Sequence, residues 1–151
     1  MKAIKTNIEI NIINNYADEK YCPLTPQLTT WAELCLCAEY SNVVINIMLV
    51  GHAESQKFNI NFRMKSGSTN ILSFPYANDD SLIGDLVICC PLVITEAAAL
   101  KKSEASHWKH LFVHGMLHLQ GYDHQNDEEE QEMTSLEDSV IAETIKIDQG
   151  N

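Results

Sequence analysis

Ile8, Ile10 and Ile12 alternate with Asn7, Glu9 and Asn11, a period of two that predicts a half-buried strand. Val43–Val50 is almost wholly apolar and rich in β-branched residues, which predicts a strand covered on both faces. Between them, Pro26 opens a helix through Trp31, Leu34, Cys35 and Ala38. Ala53 to about Asn61 reads as a short helix or loop, 69–75 as a strand ended by Pro75, and Leu82–Cys90 as another strand. From Leu92 onward the helical period takes over, in Leu92–Ser103, Ser106–Gln120 and Asp127–Ile147. Strands come first and helices cluster late, so the expected fold is α+β: one small mixed sheet of about four strands with helices packed on it.

The chain has 151 residues, enough for one domain with an ordinary core, expected to span 1–151. The first fifteen residues lack a continuous apolar stretch and read as a strand, not as a signal peptide. No run is long enough to span a bilayer. The expectation is a cytoplasmic protein with no membrane partner. Five cysteines, Cys22, Cys35, Cys37, Cys89 and Cys90, are odd in number and lack Cys-x-x-Cys spacing. Cys35 and Cys37 would diverge on one helix, and Cys89 and Cys90 would face opposite sides of one strand, so all five read as buried free thiols.

The net charge is −11, but ten of the acidic residues and only one basic residue fall from Asp123 onward. The acidity therefore belongs to a terminal helix, where Asp127–Glu130 favour the positive end of the helix dipole. A solvated face is its simplest reading. Arg63 is the only arginine, with Lys65 beside it and Lys57 nearby, so any anion-binding surface must be local.

The chemistry is concentrated in His114-Gly-Met-Leu-His118-Leu-Gln-Gly121-Tyr-Asp-His124. Histidines four apart share a helix face, separated by about 6 Å along the axis. Gly121 can take the left-handed conformation that ends a helix and brings His124 back to the same point. Three imidazoles with a fourth position open is the layout of a catalytic zinc site. His107 and His110 extend the stripe, but His110 and His118 are about 12 Å apart in helical rise, too far to share one ion. His110 reads as a supporting or packing residue.

The spacing His-x-x-x-His-x-x-Gly-x-x-His matches that of the metzincin zinc proteases. Those enzymes carry a glutamate directly after the first histidine to activate water, and here that position is Gly115. Peptide hydrolysis by that route lacks its base. Three neutral ligands leave the ion its full charge, which suits polarisation of a phosphodiester oxygen, and imidazole favours zinc over magnesium.

The run from His107 to His124 resembles the signature of the YbeY endoribonucleases. So do Asn61-Phe-Arg63-Met-Lys65, Thr69-Asn-Ile-Leu-Ser-Phe-Pro75 and Ile83-Gly-Asp-Leu-Val-Ile88, in the family's order. The resemblance implies a metal-dependent endoribonuclease that prefers single strands. It would act in ribosomal RNA maturation, at the 3′ end of small-subunit RNA, and in ribosome quality control. It assigns one zinc ion to His114, His118 and His124, and the family arginine to Arg63. A guanidinium fork suits Arg63 to clamping phosphate and offsetting transition-state charge, with Lys65 also at the substrate. Ribosomal RNA and the small subunit or its proteins are the expected partners.

Ser73, Phe74 and Pro75 would shape a cleft floor or simply pack. Asp85 could hydrogen-bond a ligand histidine or cap a turn, and Asp123 has the same two readings. Met133 and Trp108 read as core. Two other functions stay open: a non-catalytic ribosome-assembly factor stapled by its metal, and a metal hydrolase of another small substrate. The general base is also open, between a metal-activated water, a nearby carboxylate and the RNA's own 2′-hydroxyl.

Overall fold

A computed structural model describes residues 6–16, 22–63, 71–76, 80–123 and 125–150, with backbone only for 60–63 and 148–150. Four strands, β1 (Asn7–Asn14), β2 (Asn42–Val50), β3 (Ile71–Tyr76) and β4 (Ser81–Cys89), form one sheet in the order β1-β2-β4-β3. β1 runs parallel to β2 and β2 to β4, whereas β3 pairs antiparallel with β4. Five helices complete the described chain: α1 (Thr25–Cys35), α2 (His52–Arg63), α3 (Cys90–Ala99), α4 (Glu104–Leu119) and α5 (Asp127–Gly150). This is the mixed α+β architecture the patterning predicts.

The main core lies on one side of the sheet. Leu28, Trp31 and Cys35 of α1 and Phe112, Met116 and Leu119 of α4 meet Ile45, Ile47, Leu82 and Leu86 there. Trp108 is 2 % exposed and stacks beside Phe112, and Met133 of α5 joins the same core, so both are packing residues. The other face has a smaller apolar cluster, Val50, Leu72 and Val87, against which Met48, Phe58 and Phe74 pack. α2 therefore covers only part of it. β2 is accordingly not buried evenly: Val43, Ile45, Ile47 and Leu49 are fully buried, while Val44, Asn46 and Met48 are half-buried.

Several boundaries differ from those the local pattern predicts, each for a physical reason. α1 stops at Cys35, short of Ala38, because Gln120 captures its end: Gln120 Nε2 donates to the Cys35 carbonyl and Oε1 accepts from the Cys37 N–H. Cys37 is left exposed, so the cysteines are not uniformly buried. Cys90 does not continue β4 but opens α3, where Pro91 supplies a favourable φ and lacks an N–H that the first turn would leave unpaired. β3 passes through Pro75 and ends at Tyr76, since an edge strand tolerates a residue without a donor. α4 begins two residues before Ser106, because the Ser103 hydroxyl accepts from the Ser106 N–H and caps it.

Candidate metal centre

α4 packs one side onto the sheet and turns His110, His114 and His118 away from it. Its buried residues include His107, Leu111, Phe112, Gly115 and Met116, whereas His110, His114 and His118 are half-buried. The sheet contact is close. A Cβ on Gly115 would lie 2.9 Å from both Ile71 Cδ1 and Leu86 Cδ2, and one on Gly84 would lie 2.5 Å from Leu119 Cδ2. Gly115 thus does more than remove a potential base from the histidine motif. Its missing side chain would point into the core, and its absence lets the histidine-bearing helix sit down on β3 and β4.

The His114 and His118 rings stand edge to face with centroids 4.6 Å apart, as side chains on successive turns of one face should. Just beyond, the helix ends as Gly121 was expected to end it. Gly121 has φ +99°, its N–H donates to the His118 carbonyl, and the Tyr122 N–H donates to the Leu117 carbonyl. That double closure is the Schellman arrangement, which satisfies carbonyls the helix leaves open and reverses the chain. His124 lies outside the described residues, as does Lys65. Arg63 is the last residue of α2, and its side chain is likewise outside them.

One residue of this site was not singled out from the sequence. Glu137 of α5 is 7 % exposed and accepts from both imidazoles next to it: Oε1 lies 2.7 Å from His114 Nδ1 and Oε2 lies 3.1 Å from His110 Nε2. Burial acts to raise its carboxyl pKa, but the hydrogen bonds from His110 and His114 and their charge outweigh it and hold it at about 2. Its signal lay in the spacing. Met133, Leu136, Val140 and Ile141 form the apolar stripe by which α5 meets the core, and Glu137 is a carboxylate set within that stripe. The reading of the acidic helix as a solvated face therefore holds for its exposed residues but not for Glu137.

Asp85 is placed elsewhere. It lies on the sheet face opposite α4, where its carboxylate accepts from Asn46 Nδ2 at 3.0 Å and from the Tyr76 hydroxyl. It neither bonds a described histidine nor caps a turn; it ties three strands' side chains together. Phe74 faces that same side, packed against the smaller cluster. His107 is buried and bonds Glu96 Oε1 through Nε2 at 3.0 Å, linking α4 to α3. Beside the histidines a cavity of about 460 Å³ runs along Glu96, Leu100, His107, His110, Leu111 and His114.

Among the described residues no three potential ligands converge on one point. Two of the three expected ligands are paired, and they suit zinc by chemistry: imidazoles on adjacent turns, one backed by a carboxylate.

A mixed sheet crossed by a helix that presents two histidines on one face and ends at a glycine turn, with no glutamate of the protease kind after the first histidine, is an α+β fold with a candidate hydrolase site. The family model for "Endoribonuclease YbeY" matches residues 11–145. A relative of that name from Pseudomonas putida (strain W619) is 43 % identical over 132 residues, covering 84 % of each chain. Another from Nitrosococcus oceani is 42 % identical over 125 residues, covering 79 % of this chain and 82 % of its own. The solution structure of TM1509 from Thermotoga maritima is similar with a TM-score of 0.62 and 25 % identity, covering 94 % of this chain and 93 % of that one. The chain belongs to the YbeY endoribonuclease family.

Proposed function

We propose that this chain is a zinc-dependent endoribonuclease that prefers single-stranded RNA and matures ribosomal RNA, chiefly at the 3′ end of the small-subunit molecule. The same activity would serve ribosome quality control in the cytoplasm, with the small subunit or its proteins as partners. Membership of an endoribonuclease family supports the reaction class. No described helix is long and apolar enough to cross a membrane.

The observation that carries the metal reading is the His114–His118 pair on the face of α4 turned from the sheet, at a helix end closed by the Gly121 turn. In this reading His114, His118 and His124 hold one zinc ion. When bound, zinc supplies electrophilic polarisation of a phosphodiester oxygen. The remaining work falls to the protein. Arg63, with Lys65, grips the substrate phosphate and balances charge that accumulates on it, a task for which a two-pronged cation is well shaped. The cavity along α4 gives a strand room beside the histidines. Gly115 offers no base, so either the RNA's own 2′-hydroxyl or a water attacks the phosphorus.

The decisive measurement uses highly purified protein. His114→Ala should lose stoichiometric zinc and cleavage of single-stranded RNA together, and chelation of the wild type should abolish cleavage until zinc is restored. Full cleavage by folded His114→Ala would sink the proposal. Mapping the product ends separates the two attacks, since a 2′-hydroxyl nucleophile leaves a cyclic phosphate and water does not.

A further inference from the structure

We infer that Glu137 is a positioning residue for the metal centre: its carboxylate fixes the tautomer of His114 and withdraws His110 from ligand duty. The inference rests on the zinc reading for its purpose, but its structural content can be tested without metal.

A carboxylate only accepts hydrogen bonds, so the nitrogens it touches must donate. Glu137 Oε1 is 2.7 Å from His114 Nδ1, which places the His114 proton on Nδ1. In the neutral ring the lone pair then lies on Nε2, the nitrogen at the outer end of the side chain. The choice between the two tautomers is made before any ion arrives. Glu137 Oε2 is 3.1 Å from His110 Nε2, so the same logic puts the His110 proton on Nε2. His110 therefore spends its outer nitrogen as a donor. Helical rise already separated His110 from His118; Glu137 adds a chemical reason why the ligand stripe starts at His114.

The location argues against a chance ion pair. Glu137 is the buried acid of a helix whose other described acids are exposed or half-buried. Met133, Leu136, Val140 and Ile141 around it are apolar and reach the core. A leucine would continue that apolar stripe, whereas a carboxylate there needs partners to offset its lost hydration, and both of those partners are α4 histidines. A carboxylate behind a ligand histidine is instead the arrangement that orients the ring and raises its basicity toward a metal. α5 is in this view part of the site and not only its acidic exterior.

The test separates positioning from support. Long-range proton–nitrogen NMR of the metal-free wild type should show His114 as the Nδ1–H tautomer; a predominant Nε2–H form would overturn the inference without any variant. Glu137→Leu keeps the apolar stripe but removes the carboxylate, and the folded variant should bind zinc roughly 10–100-fold more weakly in competition with a chelator. Glu137→Gln, which keeps one accepting oxygen, should recover part of that loss. Folded Glu137→Leu with zinc affinity within about threefold of wild type would also overturn it, since such outer partners ordinarily matter by more than that. Should Glu137→Leu fail to fold, Glu137→Gln decides, by whether the His114 tautomer loosens and zinc affinity falls. If wild-type protein takes up no zinc, the metal reading fails by itself, while the tautomer still decides whether Glu137 orients His114.

Discussion

Leu86 and Asp85 are neighbours on β4, and they belong to two differently built faces. Leu86 is fully buried under α4, where a single added carbon on Gly115 would strike it. Asp85 looks the other way, into a row of polar side chains: Asn11 donates to Asn46, Asn46 to Asp85, and Tyr76 to Asp85 from the far side. Beside that row an apolar-floored cavity of about 260 Å³ lies between Met48, Phe58 and Phe74. The first face is close-packed and fixes the height and angle of the histidine helix. The second satisfies its polar groups laterally and leaves space. A site that must hold two rings at a fixed separation is thus built on the face that has the least freedom to adjust.

The sharpest way to break this contrast is at Gly115. Gly115→Glu restores the residue type found in zinc proteases, and chemistry alone would predict a gain of peptidase activity. Packing predicts the opposite. The side chain would enter the core against Ile71 and Leu86, at a cost of more than about 4 kcal/mol for overpacking plus a buried charge. The roughly 1 kcal/mol of helix propensity gained over glycine cannot offset that. The variant should fail to melt cooperatively and show no peptidase activity; a folded, stable protein would mean that α4 is less tightly seated than described.

Next in size is the pair on β4 itself. Leu86→Ala should destabilise the protein by about 2–5 kcal/mol, through lost burial and an unfilled cavity. Asp85→Ala, one residue away, should cost only about 1 kcal/mol, because Asn46 and Tyr76 have access to water once their partner is gone. Urea unfolding of both variants measures the difference directly. Equal costs would show that the open face is as tightly determined as the closed one.

A smaller effect distinguishes the edge of the closed face, where α5 meets α4. The Glu137 carboxyl is held at about 2 against an ordinary value of 4.5. A depressed carboxyl stabilises the fold fully above the unfolded value and loses that contribution as the pH falls toward the folded one. Metal-free protein should therefore lose stability between about pH 4.5 and about pH 2 in part through this group. Glu137→Leu should show a shallower decline over the same window. An unchanged slope would count against the paired hydrogen bonds to His110 and His114.

These contrasts also mark what was legible in the chain. The alternation of Ile8, Ile10 and Ile12 and the glycine stop at Gly121 are local facts, and both elements formed where those facts place them. The histidine pair was legible for the same reason, since i and i+4 must share a helix face. What local pattern could not give is pairing at a distance. The end of α1 is set by Gln120, more than eighty residues further along the chain. The side of the sheet on which Asp85 falls depends on register with Leu86 facing α4. Glu137 was hidden differently: it sits among so many acids that a single buried one is visible only if the apolar stripe of α5 is drawn through it.

The smallest predicted effect costs no stability and tests the two faces through their thiols. Cys35 is fully buried on the closed side beneath α1, and burial pushes its thiol far above the ordinary range. Cys89 is equally buried but lies on the other side, with its sulfur 3.9 Å from His52 Nδ1 at the start of α2. Burial raises its thiol too, while hydrogen bonds from the Leu92 backbone and Ser55 pull it partly back. Among the described residues α2 rests on a small cluster of three buried side chains, so that corner should open without the whole domain unfolding. Exposed Cys37 should alkylate first and leave the melting temperature within about a degree of its starting value, as surface changes usually do. Among the buried thiols, Cys89 should follow at a rate insensitive to low urea, the signature of local opening. Cys35 should react only as fast as global unfolding allows. Mass spectrometry of timed samples gives the order, and reaction of Cys35 ahead of Cys89 would reverse the assignment of which face is the tighter.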